Sequence, residues 1–181
     1  EQSPVTHADQ TIERHIRDAI AAKYPDHGIL GEEYGTAAGT LDKMWVVDPI
    51  DGTRSFLSGH PLFGFLLAFL DAGDPQFGII GMPVMDEVYC GIKGGPATCN
   101  GKPITTSGQT DLSQSILYVN EGDKIHEAHP DIFARLMTAG QTRRFAYDCY
   151  SHALLAAGHV DAVVDYDLQP YDFLALRPVI E

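Results

Sequence analysis

The sequence predicts a layered α/β fold of the α+β sandwich kind, with an antiparallel sheet and helices in the first half and a smaller mixed α/β sheet in the second. Three observations predict it. Strand-like runs near Phe63 to Leu70, Gln76 to Met82 and Glu87 to Ile92 follow one another at hairpin spacing, the pattern of an antiparallel meander. Beyond Ser113, strand-like and helix-like stretches alternate instead. With 181 residues, 44% of them apolar, the chain can bury one sizeable core, or two small ones sharing an interface.

Taken in order, Ile12, Ile16 and Ile20 fall four apart, which predicts an amphipathic helix running to about Tyr24, with Thr6 and Asp9 as a capping pair. Pro25-Asp26-His27-Gly28 breaks that helix, and Ile29-Leu30 leads into the acidic turn Gly31-Glu32-Glu33 and a loop to about Lys43. Met44 to Val47 is short and apolar and is followed at once by Asp48-Pro49 and Asp51-Gly52. It reads as a buried strand emptying into a tight turn. After the three hairpin strands, a glycine-rich turn and Asn100-Gly101 close the region, and the polar stretch Thr105 to Ser113 is the expected boundary between parts 1–107 and 108–181. The second part is expected to hold a strand (Ser115 to Val119), a helix (Pro130 to Ala139) and a short strand near Arg144. A helix from Cys149 to Ala157 stopped by Gly158, a strand from Val160 to Asp165 and a helix from Tyr171 complete it.

Twelve Lys plus Arg against 25 Asp plus Glu give a formal charge of −13, which opposes binding to nucleic-acid backbones. The longest apolar stretch, Pro61 to Leu70, is too short to span a bilayer, and the first residues lack the basic start and apolar centre of a secretory signal. No membrane partner and a cytoplasmic location are therefore expected. Cys90, Cys99 and Cys149 are odd in number and lack zinc-type pairing, so reduced thiols are expected.

The acidic residues carry the chemistry. Hydrolysis of a phosphate monoester needs a nucleophile at neutral pH and positive charge on the phosphoryl oxygens, and magnesium, held by several oxygen ligands, can supply both. Asp48 and Asp51 stand three apart at a strand end, Gly52 lets backbone approach an anion, and a helical turn beginning there would point free N–H groups at a phosphate. Thr53 adds a hydroxyl. Alone, Asp-Gly is an ordinary turn, and Glu32-Glu33 a solvated pair.

Trp45-Val46-Val47-Asp48-Pro49-Ile50-Asp51-Gly52-Thr53 matches the signature of the inositol monophosphatase family, magnesium-dependent, lithium-sensitive phosphatases of small molecules. Gly31-Glu32-Glu33 resembles that family's acidic motif, Ser3-Pro4-Val5-Thr6-His7-Ala8-Asp9 its N-terminal motif, and Pro170-Tyr171-Asp172 its second signature, with Tyr171 in place of the commoner tryptophan. The resemblance implies two or three Mg2+ ions, one between Glu32, Asp48 and the Ile50 carbonyl and another between Asp48, Asp51 and Asp172. It further implies a phosphate bound at Gly52 and Thr53, and a water activated with help from Glu32, Asp9 and Thr53. Family members are commonly homodimers, and beside them this chain is expected to be short at both ends.

Within the family, Arg54-Ser55-Phe56 and the Asp148 to Asp161 stretch look more like histidinol-phosphate phosphatases than inositol phosphatases. Histidinol phosphate carries an ammonium and an imidazole, which Asp148 would suit on the leaving-group side, with Asp172 nearby, although Asp148 could equally cap a helix. The alternatives are an inositol-1-phosphate or broad-specificity sugar phosphatase and, in another class, a noncatalytic domain that binds divalent cations.

Overall fold

The structure, a computed structural model, describes residues 7–37, 39–145 and 148–181. Thr6, the expected capping partner of Asp9, and the rest of the Ser3 to Thr6 motif lie outside the described residues. Helix α1 (His7–Lys23) opens the chain, followed by strands β1 (His27–Gly31), β2 (Gly35–Ala37) and β3 (Thr40–Asp51) and helix α2 (Thr53–Ser58). Strands β4 (Gly64–Asp71), β5 (Asp74–Met82) and β6 (Glu87–Ile92) form the meander, and β7 (Thr98–Cys99) and β8 (Lys102–Pro103) make a small hairpin. Then come β9 (Ile116–Val119), α3 (Gly122–Ala128), α4 (Pro130–Leu136), β10 (Thr142–Phe145), α5 (Asp148–Ala156), β11 (Ala162–Val164), α6 (Pro170–Phe173) and α7 (Arg177–Ile180).

Two sheets result. The larger has the order β2-β1-β3-β4-β5-β6-β7-β8 and is antiparallel except where β1 runs parallel to β3; the smaller, β10-β9-β11, is wholly parallel. On one face of the large sheet, Ile16 and Ile20 of α1 pack against Ile29, Val47 and Phe65. On the other, Cys149, Ala153 and Ala156 of α5 and Leu176 and Val179 at α7 cover Leu66, Ala68 and Ile80. The small sheet packs Leu117 and Val119 against Ile125 of α3 and Phe133 and Leu136 of α4. Helices and sheets thus alternate in layers, each sheet burying the apolar alternation of its strands. Among the described residues no helix is long and apolar enough to cross a membrane.

Three local expectations need correcting. The stretch read as a loop to Lys43 contains β2 and the start of β3, because its polar residues still ladder onto neighbours, Lys43 opposite Asp71 and Ile29 opposite Ala37. The strand read as ending at Val47 continues to Asp51, and the turn is a bulge: Asp48 pairs with Leu66 and Asp51 with Gly64, so one extra residue sits on the β3 side. In α1, Ile12 is 37% exposed whereas Glu13 is fully buried. The N-terminal part of that stripe faces a polar loop rather than apolar core. Helix α3 had no signal strong enough to be read.

One close approach fixes the C-terminal segment. Gly78 and Gly91 sit opposite one another on β5 and β6, and a Cβ on either would lie 2.0 Å from the carbonyl oxygen of Ala175 or Pro178. Two bare backbones therefore let the 171–180 segment rest on the sheet, which holds Asp172 over the end of β3.

Candidate metal centre

The β3 bulge decides where the carboxylates point. In an unbroken strand, residues three apart face opposite sides, but the extra residue turns Asp48 and Asp51 to the same side. Asp48 is 2% exposed, and its Oδ1 accepts the N–H of Ile50 at 3.0 Å. Asp51 Oδ2 accepts the N–H of Cys149 at 2.6 Å, tying the bulge to the first turn of α5. From α6, Asp172 joins them, its Oδ2 accepting the Gln169 N–H at 2.7 Å in a capping box. One carboxylate oxygen from each of Asp48, Asp51 and Asp172 lies within 4.8 Å of the other two.

Such a gathering of like charges is costly. Burial first, then the charge of Asp148, pushes the Asp51 carboxyl up to about 8, although the Cys149 N–H pulls the other way. Burial, followed by the Asp51 and Glu32 charges, lifts Asp48 well above the usual carboxylate range. Glu32 is pushed up to about 7 by burial, offset by a hydrogen bond with Asp48 and reinforced by Asp172, Glu33 and Asp9. Asp172 is raised too, burial again leading. A hard divalent cation is what oxygen-only donors at this spacing fit, because it relieves the repulsion that otherwise makes these carboxyls hold protons.

The cleft around them encloses about 750 Å³, and eight of its lining residues are acidic against the two cations Arg54 and Lys124. Glu32, Asp48, Ile50, Asp51, Gly52, Thr53, Asp148 and Asp172 all line it. The Ile50 carbonyl accepts the Thr53 hydroxyl at 3.2 Å, and α2 does begin at Thr53 with Gly52, φ 84°, as its N-cap. Gly52 is also required by proximity, since a Cβ there would lie 2.6 Å from the Asp148 carboxyl carbon. Asp9 does not line the cleft; buried in the first turn of α1, it acts on Glu32 and Glu33 through its charge.

Several site residues escaped the sequence reading. The buried Glu13 carboxylate accepts the N–H groups of Glu33 at 2.8 Å and Tyr34 at 3.3 Å and pairs with Arg17 at 2.7 Å, while Arg17 reaches the Gly35 carbonyl. This clamp shapes the Glu32 turn, and Gly31 must be glycine because a Cβ would sit 2.0 Å from Glu13 Oε1. Asp165, just beyond β11, is held by His152 at 3.0 Å and Asn120 Nδ2 at 2.8 Å. Asn120 follows β9 in the same way, so both stand at the carboxyl ends of parallel strands, where ligand sites gather in such sheets. A strand ending in a polar residue was the available signal.

Comparison with known proteins agrees with this architecture. The model of the "Inositol monophosphatase family" matches residues 1–181. The chain belongs to that family. It is 42% identical over its whole length to the chloroplastic bifunctional phosphatase IMPL2 of Arabidopsis thaliana, covering 53% of that protein. It is 37% identical, again over its whole length, to a histidinol-phosphatase of Chlorobaculum parvum, covering 70% of it. The chain thus spans about half of one of these relatives and somewhat over two thirds of the other. Among solved structures, an inositol monophosphatase from Anabaena superposes with a TM-score of 0.88 at 31% identity, over 97% of this chain and 72% of that one. This family member combines a large, mostly antiparallel sheet with a small parallel one.

Proposed function

We propose that this chain is a phosphoric monoester hydrolase dependent on Mg2+, acting on L-histidinol phosphate to give histidinol and phosphate. The observation that carries it is the convergence of Asp48, Asp51 and Asp172, from β3 and α6, within 4.8 Å in a cleft with few cations. When bound, Mg2+ would supply positive charge for the phosphoryl oxygens and lower the pKa of a water. Glu32, Asp48, Asp51, Asp172 and the Ile50 carbonyl would hold it, two or three ions in all.

The residues of the chain supply position. Asp51 lines the cleft and is oriented by the Cys149 N–H. Thr53, having donated its proton to the Ile50 carbonyl, keeps oxygen lone pairs to accept from a water lined up for in-line attack. Glu32, beside Asp48 in the cleft, would help to activate that water once a cation offsets the like charges around it, and Asp9 acts on Glu32 through its charge. Gly52 and the start of α2 leave backbone N–H groups for the phosphate.

The substrate assignment is supported by relatives named histidinol-phosphatase from two organisms and by Asp148 at the rim of the cleft. Other relatives are named inositol monophosphatase, so inositol 1-phosphate is the second reading. The reading includes a homodimer, as the resemblance implies, and a reducing compartment such as the cytoplasm, which suits the free thiols of Cys90, Cys99 and Cys149.

Phosphate release by the purified chain, with Mg2+ and with excess chelator, tests this. Release from histidinol phosphate that chelator abolishes, with a higher kcat/KM than for inositol 1-phosphate, is expected. Preference for the inositol ester would reject the substrate, and cation binding without any release would leave a noncatalytic domain.

A further inference from the structure

One peptide group joins the carboxylate cluster to the small sheet. A trans peptide points its C=O and its N–H in opposite directions. In the unit between Asp148 and Cys149, the N–H donates to Asp51 Oδ2 at 2.6 Å. At its other end, the Asp148 carbonyl accepts the side-chain amide of Asn120 at 3.1 Å and the hydroxyl of Ser151 at 2.8 Å. Both lone pairs of that carbonyl are thus occupied, by residues that are 3% and 0% exposed. Filling the acceptor end polarises the group and strengthens its N–H as a donor at the other end.

Asn120 is itself fixed. Its Nδ2 also lies 2.8 Å from Asp165 Oδ2 and 2.9 Å from Ser151 Oγ, and its backbone N–H donates to the Val164 carbonyl at 2.9 Å. A peptide carbonyl and an ionised carboxylate only accept, so the nitrogen of the amide, not its oxygen, faces them. The residue therefore ties the ends of β9 and β11 to the first turn of α5. It does so where the chain is least relaxed. Asp148 has a φ of 44°, a left-handed backbone that a residue bearing a Cβ keeps only when its surroundings hold it there.

We propose that Asn120, seconded by Ser151, is a positioning residue for Asp51: it grips the carbonyl of the 148–149 peptide group and so sets the direction and donor strength of the N–H that orients the Asp51 carboxylate. Asp51 needs that grip because Asp48, Asp148 and Asp172 press like charge on the same corner, and repulsion favours turning the carboxylate away. The proposal rests on the phosphatase reading, in which Asp51 holds Mg2+, and adds to it the residues that stand behind that ligand.

Calorimetric titration of Mg2+ into the whole chain and its variants tests this, together with amide hydrogen exchange at Cys149 in the metal-free protein. Asn120→Ala should lower magnesium affinity roughly ten- to a hundredfold, the usual cost of losing a group that orients a metal ligand, and should speed exchange at Cys149. Added to Asp51→Asn, the same change should cost about twofold or less in affinity, because the ligand it serves is gone. A residue that merely supports the fold would cost the same in both backgrounds. Ser151→Ala removes one small hydroxyl and keeps the test open should Asn120→Ala fail to fold; a loss of roughly three- to tenfold is expected, the scale of one hydrogen bond. Cys149 exchange that ignores both variants, or a loss of affinity that is the same with and without Asp51, would overturn the positioning role and leave the phosphatase reading to stand on ester hydrolysis by the parent chain. If the parent chain hydrolyses no ester, yet magnesium affinity and Cys149 exchange depend on Asn120, the positioning role stands and the phosphatase reading falls.

Discussion

The two ends of the cleft are built on opposite principles. At the carboxylate end, acidic side chains from β3 and α6 are pressed together with few cations near them among the described residues, and backbone N–H groups at Ile50, Cys149 and Gln169 hold them in place. At the other end, aromatic rings and the Arg54–Glu121 ion pair make a surface that is already neutralised in part and stands open. The first end gathers more like charge than its neighbours offset, as a cation site would; the second is neutralised in part by its own ion pairs. Changes at the first should therefore cost rate and metal affinity, and changes at the second should cost discrimination.

The sharpest way to break that comparison is Asp51→Asn. Removing one charge from a nearly isosteric ligand should lower turnover on the order of a hundredfold or more while histidinol affinity stays near normal. Steady-state kinetics beside calorimetry would show it, and equal losses in both would merge the two ends into one site. Next in size, Glu13→Ala should release the Glu33 and Tyr34 N–H groups and loosen the Glu32 turn. Magnesium affinity should fall roughly ten- to a hundredfold, as for other residues that orient metal ligands. A variant with unchanged magnesium dependence would make Glu13 a purely structural acid.

Gly78→Val probes how the far ligand is delivered. With Ala175 oxygen 2.0 Å from where its Cβ would sit, the backbones must part, costing about 1–3 kcal/mol as overpacking does and lowering Tm by several degrees. Magnesium affinity should suffer with it, because Asp172 hangs from that segment.

A further effect is a pH dependence confined to the metal-free protein. Glu32 and Asp51 have folded pKa values raised from 4.5 to about 7 and from 3.8 to about 8, so the folded state holds more protons than the unfolded one between those limits. The sign follows: stability present below about pH 4 is lost as pH rises through 7 to 8. Thermal melts from pH 5 to 8 should show a falling Tm without metal and a growing stabilisation by Mg2+. A flat metal-free profile would mean that the cluster is less strained than its geometry implies.

How much of this was legible in the sequence depended on whether the signal was local. The meander was, since its strands alternate and their turns carry glycine, aspartate and proline; β6 begins and ends where its residues suggested. Glu32, Asp48, Asp51 and Asp172 were legible through motifs, and the structure brings all four to one cleft. The bulge that aims Asp48 and Asp51 was not, because a bulge is a mismatch with a partner strand and a turn reading uses only one chain segment. Glu13 was hidden because a buried acid in an amphipathic helix looks like its solvated face until the partner loop, twenty residues on, is in place. Asn120 was hidden for the same reason, since the peptide group it holds lies 28 residues on.

The claim at the centre is that Asp172, delivered from far along the chain, completes a cation site with Asp48 and Asp51. Titration of Mg2+ into the chain and into its Asp172→Asn variant at pH 8 tests it most directly. Saturable binding by the first and a tenfold or greater loss in the second is the result expected. Equal magnesium binding by both would contradict the account.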